Sequence, residues 1–398
     1  MGILHNCLSI ADLERAARRR MPDCVRGYVC GGTEDGASLA ESLQAFRRLG
    51  FVPRGLRRVD QRSADTTLWG QRYSLPLGFA PTGFAAIVMK DCDAALAAVA
   101  RQQQLPFVIS GASTVPLERL QQINDGRCWY QAYLPGNLAR IRPLLERLER
   151  ARIPVLVITI DTCVGANREN LQRLKFTVPF RPSWRLLADG LRHPRWTAGV
   201  FLKTVLGEGI PRFANLAHEG GPAITAEPPH GFRGERDKLD WDCVAQIRAA
   251  WKGRLVLKGV MHPDDARLAV AQGADAVVVS THGGRQLDGC ISPLQALSAI
   301  RQAVPADFPL FIDGGFRRGT DVLKALALGA QMVFTGRPQL YGAAVAGQAG
   351  IAHAVQIFRQ EILTDLALLG CSSPAEVTPD LLRECGDFAA LRPAAASV

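Results

Sequence analysis

No stretch of about 18 consecutive uncharged apolar residues occurs anywhere in the chain, which excludes a membrane-spanning helix of ordinary length. The cysteines at 7, 24, 30, 92, 128, 163, 243, 290, 371 and 385 form no CxxC pair. A chain this long builds a core without disulfide staples, so they read as reduced packing thiols, with Cys163 and Cys290 as bystanders. His193, His218, His230 and His262 lack metal-ligand spacing, so no metal is expected. GxGxxG and GxxxxGK[ST] are both missing, which argues against nicotinamide dinucleotides and ATP. Residues 1–22 lack the apolar core and small-residue cleavage site of a signal peptide, and Asn6 fails the Ser/Thr position of a myristoylation motif. A cytoplasmic location is the expectation. Acidic groups are in deficit, 37 Asp and Glu against 47 Lys and Arg, and the resulting +10 points to an anionic partner: a small acid, a phosphate, nucleic acid or an anionic membrane.

What is present is a globular composition, 47% hydrophobic and 21% charged over 398 residues, enough for one large α/β barrel or for two to three smaller domains. Short apolar runs recur at 77–80, 107–110, 128–131, 155–160, 255–258, 276–280, 310–313 and 332–335. Helix-like segments at 94–103, 138–150, 263–272, 293–303 and 319–328 alternate with them. Eight strands in repeated βα order predict an α/β fold of the (β/α)8 TIM-barrel type.

Each run hands over to polar or glycine-rich residues: Pro81-Thr82-Gly83, Ser110, Gln131 with Tyr133, Thr159 with Asp161, Lys258, Ser280 with His282, Asp313-Gly314-Gly315, and Gly336-Arg337. In a barrel these strand ends converge on the face where loops build the active site. Capping alone would explain polar residues there, but Lys258 and Gln131 closing apolar strands are expensive unless something polar meets them. Residues 1–75 read as an N-terminal helical extension with helices at 13–20 and 39–47. The stretch 161–254 between the fourth and fifth strands far exceeds an ordinary connection. The tail reads as helices at 351–369 and 375–385. The expected organisation is therefore one barrel domain over 1–385, with 173–235 as an insert acting as lid or membrane segment, and a loose tail over 386–398.

The densest motif, 280–288, sets His282 and Arg285 on a Gly-loosened turn. An imidazole there can take a proton while the guanidinium fork clamps a carboxylate. After the seventh and eighth strands, Gly315, Arg317, Gly336 and Arg337 form a phosphate-binding pattern, glycines admitting backbone N–H groups and a helix opening near Thr320.

These motifs, together with PTG at 81–83, QAY at 131–133, Thr159/Asp161/Arg168, VLKG at 256–259, DGGFRRGTDVLKALALGA at 313–330 and TGRP at 335–338, resemble the FMN-dependent L-2-hydroxy acid oxidases and dehydrogenases. HPRW at 193–196, the IPRFAN stretch from Ile210 and the GCISP stretch from Gly289 resemble most its membrane-associated (S)-mandelate dehydrogenase branch. The resemblance implies FMN across the barrel mouth, its phosphate on Gly315, Arg317, Gly336 and Arg337, with Pro81, Thr82 and Gly83 facing flavin N5. It implies Ser110, Gln131 and Thr159 on the isoalloxazine, with Ser280 and Asp313 also at the cofactor. Lys258 stabilises the charge of reduced flavin. Arg168, Arg285 and Tyr28 bind the substrate carboxylate and Tyr133 its hydroxyl. His282 is the base, oriented by Asp161 or another carboxylate, with a hydride equivalent passing to N5. Whether His282 removes the α-proton first or takes the hydroxyl proton while hydride moves to N5 stays open, as does the electron acceptor, quinone, oxygen or another protein. Relatives imply a tetramer.

Thr281 departs from the Asn usual in the family, and Gly83 and Ala112 remove volume at the side-chain pocket. The expected substrate is a bulky or aromatic 2-hydroxy acid such as mandelate. The alternatives are lactate, a modified peptide-derived cofactor precursor, or a phosphate- or nucleic-acid-binding barrel without catalysis. The intact Tyr28, Tyr133, Arg168, His282 and Arg285 set opposes that last reading. In the insert, Arg173, Lys175, Arg181, Arg185, Arg192, Arg195, Lys203 and Arg212 outnumber Asp189 and Glu208 and interleave with Phe176, Phe180, Trp184, Leu186, Leu187, Leu191, Trp196, Val200, Phe201, Val205 and Leu206. Cations alternating with apolar groups suit an anionic membrane interface better than nucleic acid. Peripheral attachment at the cytoplasmic face is the expectation, and a solvated lid is the alternative.

Overall fold

The computed structural model describes residues 2–177, 179–216, 221–227 and 234–385. The tail expected at 386–398, parts of the insert, His218 and His230 lie outside the described residues. The apolar runs form eight parallel strands: β1 (Leu77–Phe79), β2 (Val108–Ser110), β3 (Trp129–Ala132), β4 (Val155–Thr159), β5 (Arg254–Val260), β6 (Ala276–Val279), β7 (Leu310–Asp313) and β8 (Met332–Thr335). From β2 to β8 each pairs with the next in sequence, and β8 pairs with β1. A parallel bridge from Phe79 to Phe107, with the Phe79 N–H donating to the Pro106 carbonyl at 2.9 Å, closes the circle. The architecture is a (β/α)8 barrel.

Around it run α1 (Cys92–Gln102), α2 (Leu117–Ile123), α3 (Leu138–Arg150), α4 (Trp241–Ala250), α5 (Pro263–Ala271), α6 (Pro293–Ala303), α7 (Gly319–Ala327) and α8 (Arg337–Leu369), the last interrupted at Ala346 and Gly347. Strand side chains alternate between two cores, as a pleat requires. Leu156 and Ile158 belong to the core shared with the helices, whereas Val155, Val157, Val256, Val278, Phe311 and Phe334 fill the barrel.

A hairpin of Thr66–Leu68 and Gln71–Tyr73 plugs one end. Its two-residue turn, Trp69-Gly70, has positive φ at both positions (51° and 79°), the geometry that matches strand twist. The Trp69 ring lies 5.5 Å from that of Trp129 and 5.6 Å from that of Phe311, and the Arg254 guanidinium caps it at 4.6 Å. Trp129 and Arg254 begin their strands, so the plug seals the N-terminal end and leaves the C-terminal end open.

The N-terminal extension forms helices Ile10–Arg20, Asp23–Cys30 and Ala37–Gln44. The middle one is additional to the two the sequence predicts. The helix expected at 375–385 is replaced by short turns at Pro374–Glu376 and Pro379–Leu381 and a strand, Leu382–Glu384, paired antiparallel with Leu49–Phe51. Pro379 cannot continue a helix hydrogen-bond ladder, and the free edge at Leu49–Phe51 supplies the alternative partner.

Truncating Phe311, which is fully buried against Trp69, Trp129 and Phe334, leaves a cavity in the plug. Phe311→Ala should cost about 3–5 kcal/mol in denaturant unfolding. A loss below about 1 kcal/mol would mean that the hairpin does not seal the barrel.

Candidate active site

Lys258 ends the apolar part of β5 and is almost completely buried. Its ammonium lies 2.8 Å from Asp313 Oδ2 and donates to Ser280 Oγ at 2.9 Å. Ser280 Oγ in turn donates to Asp313 Oδ1 at 2.6 Å. Burial alone would discharge the lysine, but the Asp313 and Asp161 carboxylates hold its pKa above the ordinary value. Ser280 and Asp313 thus act on Lys258 directly, and Asp313 also lines the cavity described below.

Ser280 Oγ accepts the His282 N–H at 3.0 Å, pinning a residue whose φ is +56°. Left-handed backbone at a histidine is uncommon, and here it turns the ring toward Asp161, whose Oδ1 lies 2.9 Å from His282 Nδ1. The carboxylate fixes the tautomer and leaves Nε2 as the other ring nitrogen. Burial would raise Asp161, yet the His282 and Lys258 side chains hold it below the usual carboxylate range. Burial lowers His282; Asp161 pulls it back, and the Lys258 and Arg168 cations add to the lowering. The result is a neutral imidazole held by an ionised carboxylate.

Arg168 and Arg285 come together although they are far apart in sequence. Arg168 donates to the Arg285 carbonyl through Nε and Nη2 at 3.2 and 3.1 Å, and to Gln286 Oε1 at 3.2 Å. The Arg285 guanidinium lies 4.9 Å above the Tyr28 ring and donates to the Tyr28 carbonyl. Burial and then the neighbouring Arg168 cation push Arg285 below its ordinary value. Two such cations side by side favour an anion between them. Tyr28 donates its hydroxyl to the Gly83 carbonyl at 2.9 Å. Burial raises the Tyr133 phenol despite the Arg236 guanidinium 4.3 Å above its ring.

These groups line a cavity of about 470 Å³ at the open end of the barrel. Tyr28, Tyr133, Arg168, Lys258, His282 and Arg285 border it, as do Pro81, Thr82, Gly83, Ala112, Gln131, Thr159, Gly315, Arg317, Gly336 and Arg337. Ser110, Asp161 and Ser280 stand behind this lining, Ser110 contacting Gln131 Oε1 at 3.4 Å. A methyl on Gly83 would lie 3.1 Å from the Ala112 Cβ, so the two small residues adjoin and free one continuous space. Gly315, at φ +87°, is also required by packing, since a Cβ there would meet the Ser42 carbonyl. Arg337 uses Nε, Nη1 and Nη2 to hold the carbonyls of Val29, Gly283 and Gly31 at 2.9–3.0 Å. Its side chain therefore ties the N-terminal extension to the barrel mouth.

Sequence reasoning missed an apolar wall made by Phe84, Leu171, Phe176, Phe213 and Leu216, and the cation Arg236. Phe84 and Phe176 pack on Tyr28 with ring centroids at 6.4 and 6.0 Å, and Phe213 packs on Phe84 at 5.9 Å. The charge pattern of the insert assigns Phe176 to a membrane surface, and neither Phe213 nor Leu216 carries a local signal that it folds back. Asn215 enforces that return: its side chain accepts the Leu117 N–H at 2.9 Å and donates to the Val115 carbonyl at 2.8 Å.

A family model described as FMN-dependent dehydrogenase matches residues 17–384. The chain belongs to that family. It is 33% identical over 381 residues to (S)-mandelate dehydrogenase of Pseudomonas putida, covering 96% of this chain and 95% of that protein. It is 34% identical over 372 residues to an L-lactate dehydrogenase of Azorhizobium caulinodans, covering 93% and 97%. A crystal structure of the monotopic membrane protein (S)-mandelate dehydrogenase superposes with a TM-score of 0.86 at 31% identity, over 95% of this chain and 99% of that one. Mandelate oxidase with 3,3-difluoro-2-hydroxy-3-phenylpropionic acid superposes at 0.75 with 31% identity, over 94% and 98%.

An FMN-dependent dehydrogenase needs a cradle for its flavin, and this cavity has one. Buried polar atoms of lining residues, Thr82 Oγ1, Gln131 Nε2 and Thr159 Oγ1, have no hydrogen-bond partner in the protein, and Arg317 Nε meets the Glu14 carboxylate at 3.5 Å. Such atoms are costly to bury and are ordinarily matched. Gln131 and Thr159 lie at the ends of β3 and β4, suited to a polar ring edge, whereas Arg317 suits a phosphate. The residues present fit FMN.

Lys258 brings a buried cation to this cavity, and its removal strands Asp313. Lys258→Met should weaken sulfite binding to the bound flavin at least tenfold and lower stability by about 3–5 kcal/mol. Adding Asp313→Asn should restore stability without restoring sulfite affinity. Unchanged sulfite affinity in Lys258→Met would confine the lysine to a structural part.

Proposed function

We propose that this protein oxidises a bulky or aromatic L-2-hydroxy acid, mandelate-like, to the 2-oxo acid. The observation that carries the reading is the convergence on one cavity of three things: the Asp161-held neutral His282, the Arg168–Arg285 pair, and the apolar wall of Phe84, Phe176 and Phe213. The substrate carboxylate binds between Arg168 and Arg285, with the Tyr28 edge beside it. Its side chain lies against the apolar wall and the space left by Gly83 and Ala112. An aromatic ring there gains contact area that lactate cannot, on the order of 25 cal/mol per Å² of apolar surface buried.

Tyr133 orients the substrate hydroxyl, and His282 Nε2 takes the proton that leaves it, the imidazolium being stabilised by Asp161. FMN, held by Gln131, Thr159, Lys258, the 81–83 backbone, Gly315, Gly336 and Arg317, supplies the acceptor for the two electrons and the remaining hydrogen. Lys258 keeps positive charge beside that acceptor, and the apolar wall excludes water.

The test is anaerobic bleaching of the yellow protein over a panel of hydroxy acids. (S)-Mandelate should reduce the flavin faster than lactate or glycolate. In His282→Ala, reduction should slow by about 10²–10⁴-fold with FMN retained. The acid limb of kcat/KM should lie below pH 6.5, the ordinary imidazole value, because burial holds His282 below it and the neutral base survives to lower pH. Reduction of His282→Ala at the native rate would remove the base from this mechanism.

The same reading includes attachment to an anionic membrane at its cytoplasmic face. Among the described residues no helix is long and apolar enough to cross a bilayer. The insert instead forms Trp184–Arg192, Pro194–Trp196, a π-helical turn at Thr197–Leu202 and Lys203–Glu208. Trp184, Leu191 and Leu206 are 86, 72 and 83% exposed, joined by Leu187, Phe201, Leu202 and Ile210 and by exposed Arg181, Arg185, Arg192 and Arg195. Trp196 turns inward and donates its indole N–H to the Ile87 carbonyl at 2.7 Å, and Phe176 and Phe180 pack against the core. An apolar face this size, rimmed with arginine, supports an interfacial helix. Wild-type protein should float with anionic vesicles and stay bound at about 0.5 M salt, where charges are screened but apolar contacts persist. Changing Trp184, Leu187, Leu191 and Leu206 together to Ser should release it with FMN still bound. Wild-type protein that stays unbound at low salt would leave the segment as a lid.

A further inference from the structure

Helix Asp23–Cys30 carries Tyr28, yet it begins at Pro22, whose side chain has no oxygen to cap it. The first N–H groups of a helix need acceptors, and burying them unpaired costs about 1–3 kcal/mol each. The acceptor comes from 166 residues away in sequence. The buried Asp189 carboxylate receives the Asp23 N–H on Oδ1 and the Cys24 N–H on Oδ2, both at 2.9 Å. Its negative charge also sits at the positive end of that helix. Asp189 belongs to Trp184–Arg192, the segment whose opposite face exposes Trp184, Leu187 and Leu191. His193 steadies it, with Nδ1 2.9 Å from the Asp189 carbonyl and 3.3 Å from Oδ1.

What the capped helix holds is the frame of the anion pocket. The Tyr28 hydroxyl reaches the Gly83 carbonyl, its ring supports the Arg285 guanidinium, and its carbonyl accepts from Arg285. Toward its other end the helix is held by Asn170, whose Nδ2 donates to the Gly27 carbonyl at 2.9 Å, and by Arg337 on the Val29 and Gly31 carbonyls, so the two bonds to Asp189 supply the tie at its start. We propose that Asp189 is a positioning residue for substrate binding: by capping the Tyr28 helix it sets the placement of Tyr28 and Arg285, and so links the exposed apolar segment to the carboxylate pocket. This rests on the assignment of Tyr28 and Arg285 to the substrate carboxylate. Ground-state and transition-state carboxylate contacts are the same, so the loss should appear in KM rather than kcat.

The experiment compares holoenzymes of wild type, Asp189→Asn and Asp189→Ala. Asp189→Ala should raise KM for (S)-mandelate about tenfold with kcat within about twofold, and raise the dissociation constant of phenylacetate, a carboxylate that cannot be oxidised, by the same factor. Asp189→Asn, whose amide oxygen can still accept one N–H but whose NH2 faces the other as a second donor, should recover only part of that loss. In a Tyr28→Phe background the Asp189→Asn effect should shrink, because both changes act on one element. Unchanged KM and phenylacetate affinity in both Asp189 variants would overturn the proposal. So would equal falls in kcat and kcat/KM with a lowered melting temperature, or strict additivity with Tyr28→Phe. If Asp189→Ala does not fold, Asp189→Asn and the double variant decide alone. Wild-type protein that oxidises no hydroxy acid but binds phenylacetate would sink the assigned reaction and leave Asp189 to be judged on the phenylacetate ratios; wild-type protein that binds no carboxylate would sink both.

Discussion

At the end of β5 the Lys258 ammonium is buried between Asp313 Oδ2, 2.8 Å away, and Ser280 Oγ, 2.9 Å away. An ammonium taken out of water without a partner would cost several kcal/mol, so the carboxylate from β7 and the hydroxyl after β6 are obligatory neighbours. The same hydroxyl accepts the His282 N–H and helps hold that residue at φ +56°, a backbone conformation that costs on the order of 1–3 kcal/mol. One ion pair therefore couples strands β5, β6 and β7 and aims the imidazole. Asp161, from the end of β4, completes the arrangement on the other side of the ring.

The second constraint is the supply of helix caps. Both the Tyr28 helix and α2 follow a proline that provides no side-chain oxygen. Asp189 meets the first N–H groups of one and Asn215 the Leu117 N–H of the other, and both come from the long excursion between β4 and β5. That excursion is held at two points by bonds that local sequence left unmade. Between them it brings Phe213 over the cavity, with Leu216 just after the second point and Phe176 ahead of the first. A segment that would otherwise be a loose cover becomes part of the pocket wall.

Its apolar residues accordingly divide between two environments. Phe176, Phe180 and Trp196 face the barrel; Trp184, Leu187, Leu191 and Leu206 face outward with the arginines. Replacing the whole stretch would remove Asp189 and the outward face together, so only point changes separate the surface from the pocket. Arg337 shows the same economy at the mouth: its guanidinium is engaged with three backbone carbonyls of the N-terminal extension and the β6 loop.

Local pattern alone determined the eight strands, their alternation with helices and the polar residue at the end of each strand, because side-chain period and strand-end chemistry are written in adjacent residues. His282 with Arg285 and the glycine-arginine phosphate pattern were legible for the same reason, each being contained in one loop. Only the tertiary structure decided which distant groups meet. Leu382–Glu384 became a strand because Leu49–Phe51 offered an edge, and Asp189 and Asn215 became caps because proline left two helices short of acceptors. Phe84, Phe176, Phe213, Leu216 and Arg236 became cavity lining through closure of the barrel and return of the insert. Periodicity tells which face of an element is buried, but not what it is buried against; that is set by chain closure and by the need of every buried charge and N–H group for a partner.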